Sequence, residues 1–143
     1  MITIVLRYGD AFAPEEGTIE AHRKLILKNG YVWYGKMGLG VSQKGVEACM
    51  SSKKVLLIHS GKYDRYWLTI ETVSNDRPAN EEFPSYYADK TDNVKTWFKV
   101  TNIETAEKGV VSKCQLVSNG RPLNEVSKSS MSPYFIVKYE ENI

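Results

Sequence analysis

The residues that most often carry chemistry are sparse in this chain. His22 and His59 are the two histidines, and Cys49 and Cys114 the two cysteines, among 143 residues. A nucleophile needs a base within hydrogen-bond reach. His59 adjoins Ser60, but neighbouring residues on a strand point to opposite faces, so the pair does not read as a dyad. His22 falls on a helix and is expected at the margin of the core. The cysteines stand apart, without CxxC or CxH spacing, so neither a zinc site nor a disulfide framework is read. Both are expected to be reduced residues in or near the core. The stretch Gly35-Lys36-Met37-Gly38 is rich in glycine but does not open a helix, which argues against a phosphate loop. The Walker, dinucleotide-binding, zincin and G-x-S-x-G patterns are all missing. The sequence therefore demands neither an enzyme nor a cofactor nor a metal.

The remaining candidates are aromatic and basic, and their environment follows from composition. Hydrophobic residues make up 42% and charged residues 25% of the chain, as expected of a globular protein with one real core. The length suits one domain, expected to span residues 1–143. No apolar run approaches a membrane span, and Met1 to Leu6 is too short for a signal-peptide core, so a cytoplasmic location is expected. The net charge is +2 and the pI near 8.4, milder than in dedicated nucleic-acid binders. A local basic patch still suffices to hold one base and a few phosphates.

The elements that must position these residues read as follows. Ile2 to Tyr8 is rich in β-branched residues and predicts a strand. Asp10 to Gly17 predicts a loop, with Thr18 as N-cap of a helix in which Ile19, His22, Leu25 and Ile26 recur at helical spacing. Asn29-Gly30 ends it. Tyr31 to Tyr34 predicts a short strand, followed by a loop through Gly35, Gly38 and Gly40. Ser42 to Met50 predicts a short helix with Val46, Cys49 and Met50 inward. Lys54 to His59 and Arg65 to Val73 predict a hairpin. On its second strand Trp67, Thr69, Glu71 and Val73 share one face. Ser74 to Asn93 reads as a long polar loop, functional or mobile. Strands are predicted at Thr96 to Ile103, Val110 to Val117 and Tyr134 to Tyr139, with a turn at Asn119-Gly120. The class is α+β with β predominant.

Four segments in this order resemble the PUA-like superfamily, in particular its EVE and YTH branches. The first runs from Ile2 to Trp33: a strand, a loop, an amphipathic helix and then Gly-Tyr-Val-Trp. Trp33-Tyr34-Gly35 is similar to the W-x-G-like motif of EVE domains. The second, Val55-Leu56-Leu57-Ile58-His59-Ser60, resembles the V-F-L-I-F-S strand of YTH domains and the F-Y-H-S end of the EVE strand. The third, Trp97-Phe98-Lys99-Val100-Thr101-Asn102-Ile103, resembles W-I-x-V-K-D-V. The fourth, Asn119-Gly120-Arg121-Pro122-Leu123, resembles the N-x-K-P-V turn, and Ser127 to Val137 resembles the EVE closing segment.

This resemblance implies a PUA-like mixed β-barrel with flanking helices. It implies a non-catalytic module for nucleic acid carrying a modified base, methylated in the leading reading, held in an aromatic cage. Trp33 takes the place of the first cage wall. Tyr34, Tyr86, Tyr87 and Ser60 are the other candidates, because the loop that carries further cage tryptophans in YTH domains has none here. Phe83, Tyr86 and Tyr87 stand there instead. Lys36, Lys62, Arg65, Arg121 and Lys128 are the candidate phosphate contacts, since phosphate pairing supplies most of the affinity for nucleic acid. The resemblance does not choose between DNA and RNA. Two alternatives remain open. One is a small amidohydrolase like the ASCH branch, with Lys36 activated by desolvation beside Glu71. The other is a protein-interaction module of a larger defence or regulatory assembly.

Overall fold

The computed structural model describes residues 1–59 and 61–141. Seven strands form one mixed sheet in the order β2-β5-β4-β3-β1-β7-β6. The strands are β1 (Ile2–Tyr8), β2 (Val32–Met37), β3 (Lys54–His59), β4 (Arg65–Ser74), β5 (Val94–Thr105), β6 (Cys114–Leu116) and β7 (Tyr134–Tyr139). Among the described residues three α-helices accompany them: α1 (Thr18–Asn29), α2 (Gln43–Ser52) and α3 (Leu123–Ser129). β1 and β3 pair in parallel, and every other ladder is antiparallel. That parallel pair needs a long crossover, which α1, β2 and α2 supply.

The central strands are buried on both faces, which explains their near-continuous apolar runs. On one face Ile4, Leu6, Leu57, Leu68, Ile70 and Phe98 meet Ile19 of α1 and Ala48 and Cys49 of α2. On the other, Val5, Leu56, Trp67, Phe135 and Val137 lie under Leu123 and Val126 of α3. A third cluster gathers Phe83, Tyr87, Val94 and Trp97 at the β2–β5 end.

Several local expectations are corrected. Thr18 is the first residue of α1 rather than its cap; Gly17 precedes it at φ 92°. The unpaired Thr18 N–H donates instead to Asp10 Oδ1 (2.9 Å), a carboxylate brought in from the preceding loop. The helix ends as expected, on Gly30 at φ 86°, where a side chain would be strained. β2 runs on through Gly35 and Lys36 to Met37, because pairing with β5 outweighs the glycine's weak strand preference. In α2 the sheet-facing residues are Gly45, Ala48 and Cys49, with Val46 and Met50 only half-buried. β4 is bulged between Ile70 and Thr72, where Glu71 has no partner opposite. The extra residue turns Val73 onto the side of Leu68 and Ile70, so the alternation expected along this strand breaks. Val110 to Lys113 is a 3-10 turn, with only Cys114–Leu116 in a strand, and α3 follows Pro122 where no helix was read.

The long segment before β5 is folded onto the sheet. It contains 3-10 turns at Ser85–Tyr87 and Thr91–Asn93 and buries Phe83 and Tyr87. It also follows the outer edge of β2. Trp33 N–H donates to Glu82 O (2.8 Å) and Gly38 N–H to Asn93 O (2.8 Å), while Gly35 N–H donates to the Tyr87 hydroxyl (3.4 Å). Among the described residues no ladder joins β2 to β6, so hydrogen bonding does not close the sheet. Side chains do reach across: the Lys36 ammonium lies 5.5 Å from the ring centre of Tyr134 on β7.

Candidate functional site

A cleft of about 260 Å³ opens where β2 faces the ends of β1 and β7. Thr18 of α1 and Pro133 before β7 border it, and its main walls come from four other places. β1 contributes Arg7 and Tyr8, and β2 contributes Tyr34 to Met37. The loop before α1 adds Phe12, and the Ser85–Tyr87 turn adds Tyr86 and Tyr87. The volume lies just below the usual range for small-molecule sites.

Close approach of the backbone builds this wall. A Cβ on Gly35 would stand 2.9 Å from Trp97 Cζ3 and 3.0 Å from Val94 Cγ1. Glycine there lets β2 lie directly on Trp97 and brings its N–H to Tyr87. The Tyr87 hydroxyl in turn donates to His22 Nε2 (3.1 Å), while His22 Nδ1–H donates to Thr18 O (2.7 Å). His22 is 1% exposed, a core residue rather than one at the margin. Burial holds its pKa down to about 4, with the Thr18 carbonyl opposing, so it is neutral near pH 7. Burial likewise raises the hydroxyls of Tyr8, Tyr34, Tyr86 and Tyr87, which stay protonated donors.

The two cations of the cleft are held by backbone carbonyls. Lys36 is 6% exposed, and its ammonium donates to Leu39 O and, at 3.5 Å, to Met37 O. Burial lowers its pKa, with Tyr134 opposing. Arg7 donates from Nε to Ser132 O (3.0 Å) and from Nη2 to Ser127 O (2.8 Å) and Ser130 O (2.9 Å). Those last two carbonyls belong to the end of α3, so Arg7 fastens that helix to β1.

At the mouth, Phe12 is 64% exposed, and the Lys90 ammonium sits 5.2 Å from its ring centre. Asp10 anchors the loop that carries Phe12. Its second oxygen accepts from His59 Nε2 (3.1 Å), and His59 Nδ1 accepts from Gly61 N–H (2.9 Å). The Asp10 carboxyl is held below the ordinary range, first by Thr18 N–H and then by His59. The His59 ring stands edge-on to Tyr8 at 4.9 Å, tying the β3–β4 hairpin to the cleft.

The sequence candidates divide accordingly. Tyr34, Lys36, Tyr86 and Tyr87 come together in the cleft. Trp33 is not among the residues that line it: its side chain packs, partly buried, against the third cluster. Ser60 lies outside the described residues. Lys62 and Arg65 sit at the exposed end of the hairpin that leans on Tyr8. Arg65 Nη1 donates to Lys62 O (2.9 Å), and its Nε is buried with no acceptor among the described residues. Arg121 and Lys128 are exposed on and beside α3, whose core contacts are on the other face of the sheet. Glu71 pairs with Lys99 (2.9 Å) on the β4–β5 ladder and stands apart from Lys36. No carboxylate lines the cleft among the described residues. Burial pushes the Cys49 and Cys114 thiols up to about 12, so neither is a nucleophile near neutral pH. Tyr8, Arg7 and Phe12 were missed in the sequence. Tyr8 and Arg7 end a strand of ordinary appearance, and Phe12 lies in a loop with no periodic signal.

Among the described residues there is no group of three or more potential metal ligands and no helix long and apolar enough to cross a membrane. The chain matches the Pua-like family over residues 4–131, most of its length, and belongs to that family. Domains of this family are commonly nucleic-acid-binding modules. No curated protein and no solved structure gives a significant match.

Proposed function

We propose that this protein binds nucleic acid and holds one extruded, modified base in the cleft between β1, β2 and the Ser85–Tyr87 turn. One observation carries the reading: Tyr8, Tyr34, Tyr86 and Tyr87 converge on a single small cleft of a Pua-like domain. Phe12 and the aliphatic stem of Lys36 add apolar surface beside them. An extruded base gains about 1–3 kcal/mol from stacking on an aromatic ring. A base methyl group buried there adds roughly 0.8 kcal/mol, so a modified base is preferred by a modest factor.

In this reading Tyr86, only partly buried, is the wall that meets the base, and Tyr34 and Tyr87 form the floor. Trp33 supports that floor from behind β2 through Trp97. Lys62 and Arg65 take the phosphates next to the extruded nucleotide. The sheet is taken as a partly open form of the expected barrel, on the strength of the Lys36–Tyr134 contact across its gap.

The test is fluorescence anisotropy with single-stranded DNA and RNA oligonucleotides carrying plain or methylated bases. Wild type should prefer at least one modified oligonucleotide. Tyr86→Ala should weaken that complex by about tenfold or more, as loss of one stacking face predicts. Equal binding of every oligonucleotide by both proteins would remove the cleft from recognition.

A further inference from the structure

The polar groups of the cleft are unusual in kind, and they bear on which base it takes. The charged residues of its lining, Lys36 and Arg7, have side chains that can only donate hydrogen bonds. No aspartate, glutamate, asparagine or glutamine lines it among the described residues. Two of the acceptors nearby are already engaged, and the tyrosine hydroxyls donate as well as accept. Tyr87 Oη receives Gly35 N–H, and Gly9 O receives the Thr18 hydroxyl (2.9 Å). The donors are not exhausted. Arg7 spends Nε and Nη2 on the carbonyls of Ser127, Ser130 and Ser132, leaving Nη1 with no protein acceptor among the described residues. Lys36 has three hydrogens, and the carbonyls of Leu39 and Met37 take two.

Both cations are also fixed. Lys36 is nearly enclosed, and the two carbonyls that hold its ammonium prevent it from swinging into solvent. A ligand must therefore meet these donors as they stand. An amino group on the ligand would find a donor opposite it, leaving buried polar groups unpaired on both sides.

Building on the base-binding reading above, we infer that the cleft selects an oxo base, one whose inserted edge carries hydrogen-bond acceptors. Uracil and thymine present ring carbonyls, and guanine presents O6 and N7; adenine presents an exocyclic amino group on the corresponding edge. Sites built to pair a polar group discriminate strongly against ligands that cannot pair it.

The experiment uses the full chain and labelled single-stranded 9-mers that differ only at the central base: uracil, thymine, guanine, cytosine or adenine. The expected result is at least about tenfold tighter binding of an oxo-base oligonucleotide than of the adenine one. The uracil and thymine arms against the guanine arm identify which oxo base is read. Lys36→Met should collapse that ratio toward one. Lys36→Arg, which keeps donors only, should preserve its direction. Lys36→Gln, which adds an acceptor, should narrow it. Thermal melting of each variant identifies any that fails to fold, and the wild-type series decides without them. Adenine bound as tightly as the oxo bases, or a ratio unchanged in folded Lys36→Met, overturns the inference while leaving base binding intact. Absence of binding to every oligonucleotide overturns both.

Discussion

His22 and Tyr87 lie 65 positions apart in the chain and are joined by a buried hydrogen bond of 3.1 Å. The imidazole accepts a hydrogen bond from the tyrosine hydroxyl at Nε2 and donates one from Nδ1–H to the Thr18 carbonyl. This fixes the neutral tautomer and pins the Ser85–Tyr87 turn to the first turn of α1. The floor of the cleft is thus set by a core contact between two segments that both border it.

Tyr87→Phe removes the hydroxyl and keeps the ring. His22 Nε2 is then left buried without a donor, at a cost of about 1–3 kcal/mol. Urea unfolding should show a lower midpoint with an unchanged slope. An unchanged midpoint would mean that the bond contributes nothing to the fold.

Acid should weaken the protein through His22. Its pKa is held near 4 in the folded chain, against 6.5 when free. Between those values the unfolded chain binds more protons, so stability is full above pH 6.5 and falls as pH drops toward 4. The full loss from this group is about 3 kcal/mol. Stability measured at steps from pH 7.5 to 4 should follow this slope, and His22→Gln should flatten it.

Gly35→Ala places a methyl group against the Trp97 ring and the Val94 side chain. Overpacking of this kind costs about 1–3 kcal/mol. The thermal midpoint should fall, and the indole environment should change in near-ultraviolet circular dichroism. A variant as stable as wild type would show that the β2–Trp97 contact is looser than the distances imply.

Trp33→Ala separates support from recognition. The side chain packs against the third cluster without lining the cleft. The variant should lose stability, while its ranking of plain and modified oligonucleotides stays that of wild type. A changed ranking with an unchanged midpoint would make Trp33 a recognition residue.

Much of the fold was legible because its signals are local. The strands Ile2–Tyr8, Lys54–His59 and Tyr134–Tyr139 were read at their observed limits, since β-branched and apolar runs between turn residues leave little choice. The end of α1 at Gly30 was equally plain. What escaped depends on distant partners. Asp10 caps α1 from eight residues away, and nothing in Asp10-Ala11-Phe12 announces it. The β4 bulge exists because β5 opposes it. The short helix α3 was hidden by its seven residues and by the polar serines around it. At the site, Tyr86 and Tyr87 were visible as aromatics in an otherwise polar loop. Their meeting with Tyr8 and Tyr34 was not, because it requires the sheet to bring its two ends face to face.

The segment that follows the outer edge of β2 has one more consequence. A strand with a row of open amides is a template on which another chain can grow. Here Glu82 and Asn93 take two of those amides by their carbonyls, and Tyr87 takes a third by its hydroxyl. The segment that completes the cleft therefore also covers the outer edge of β2, and substitutions that loosen it would bare these amides to pairing with another chain.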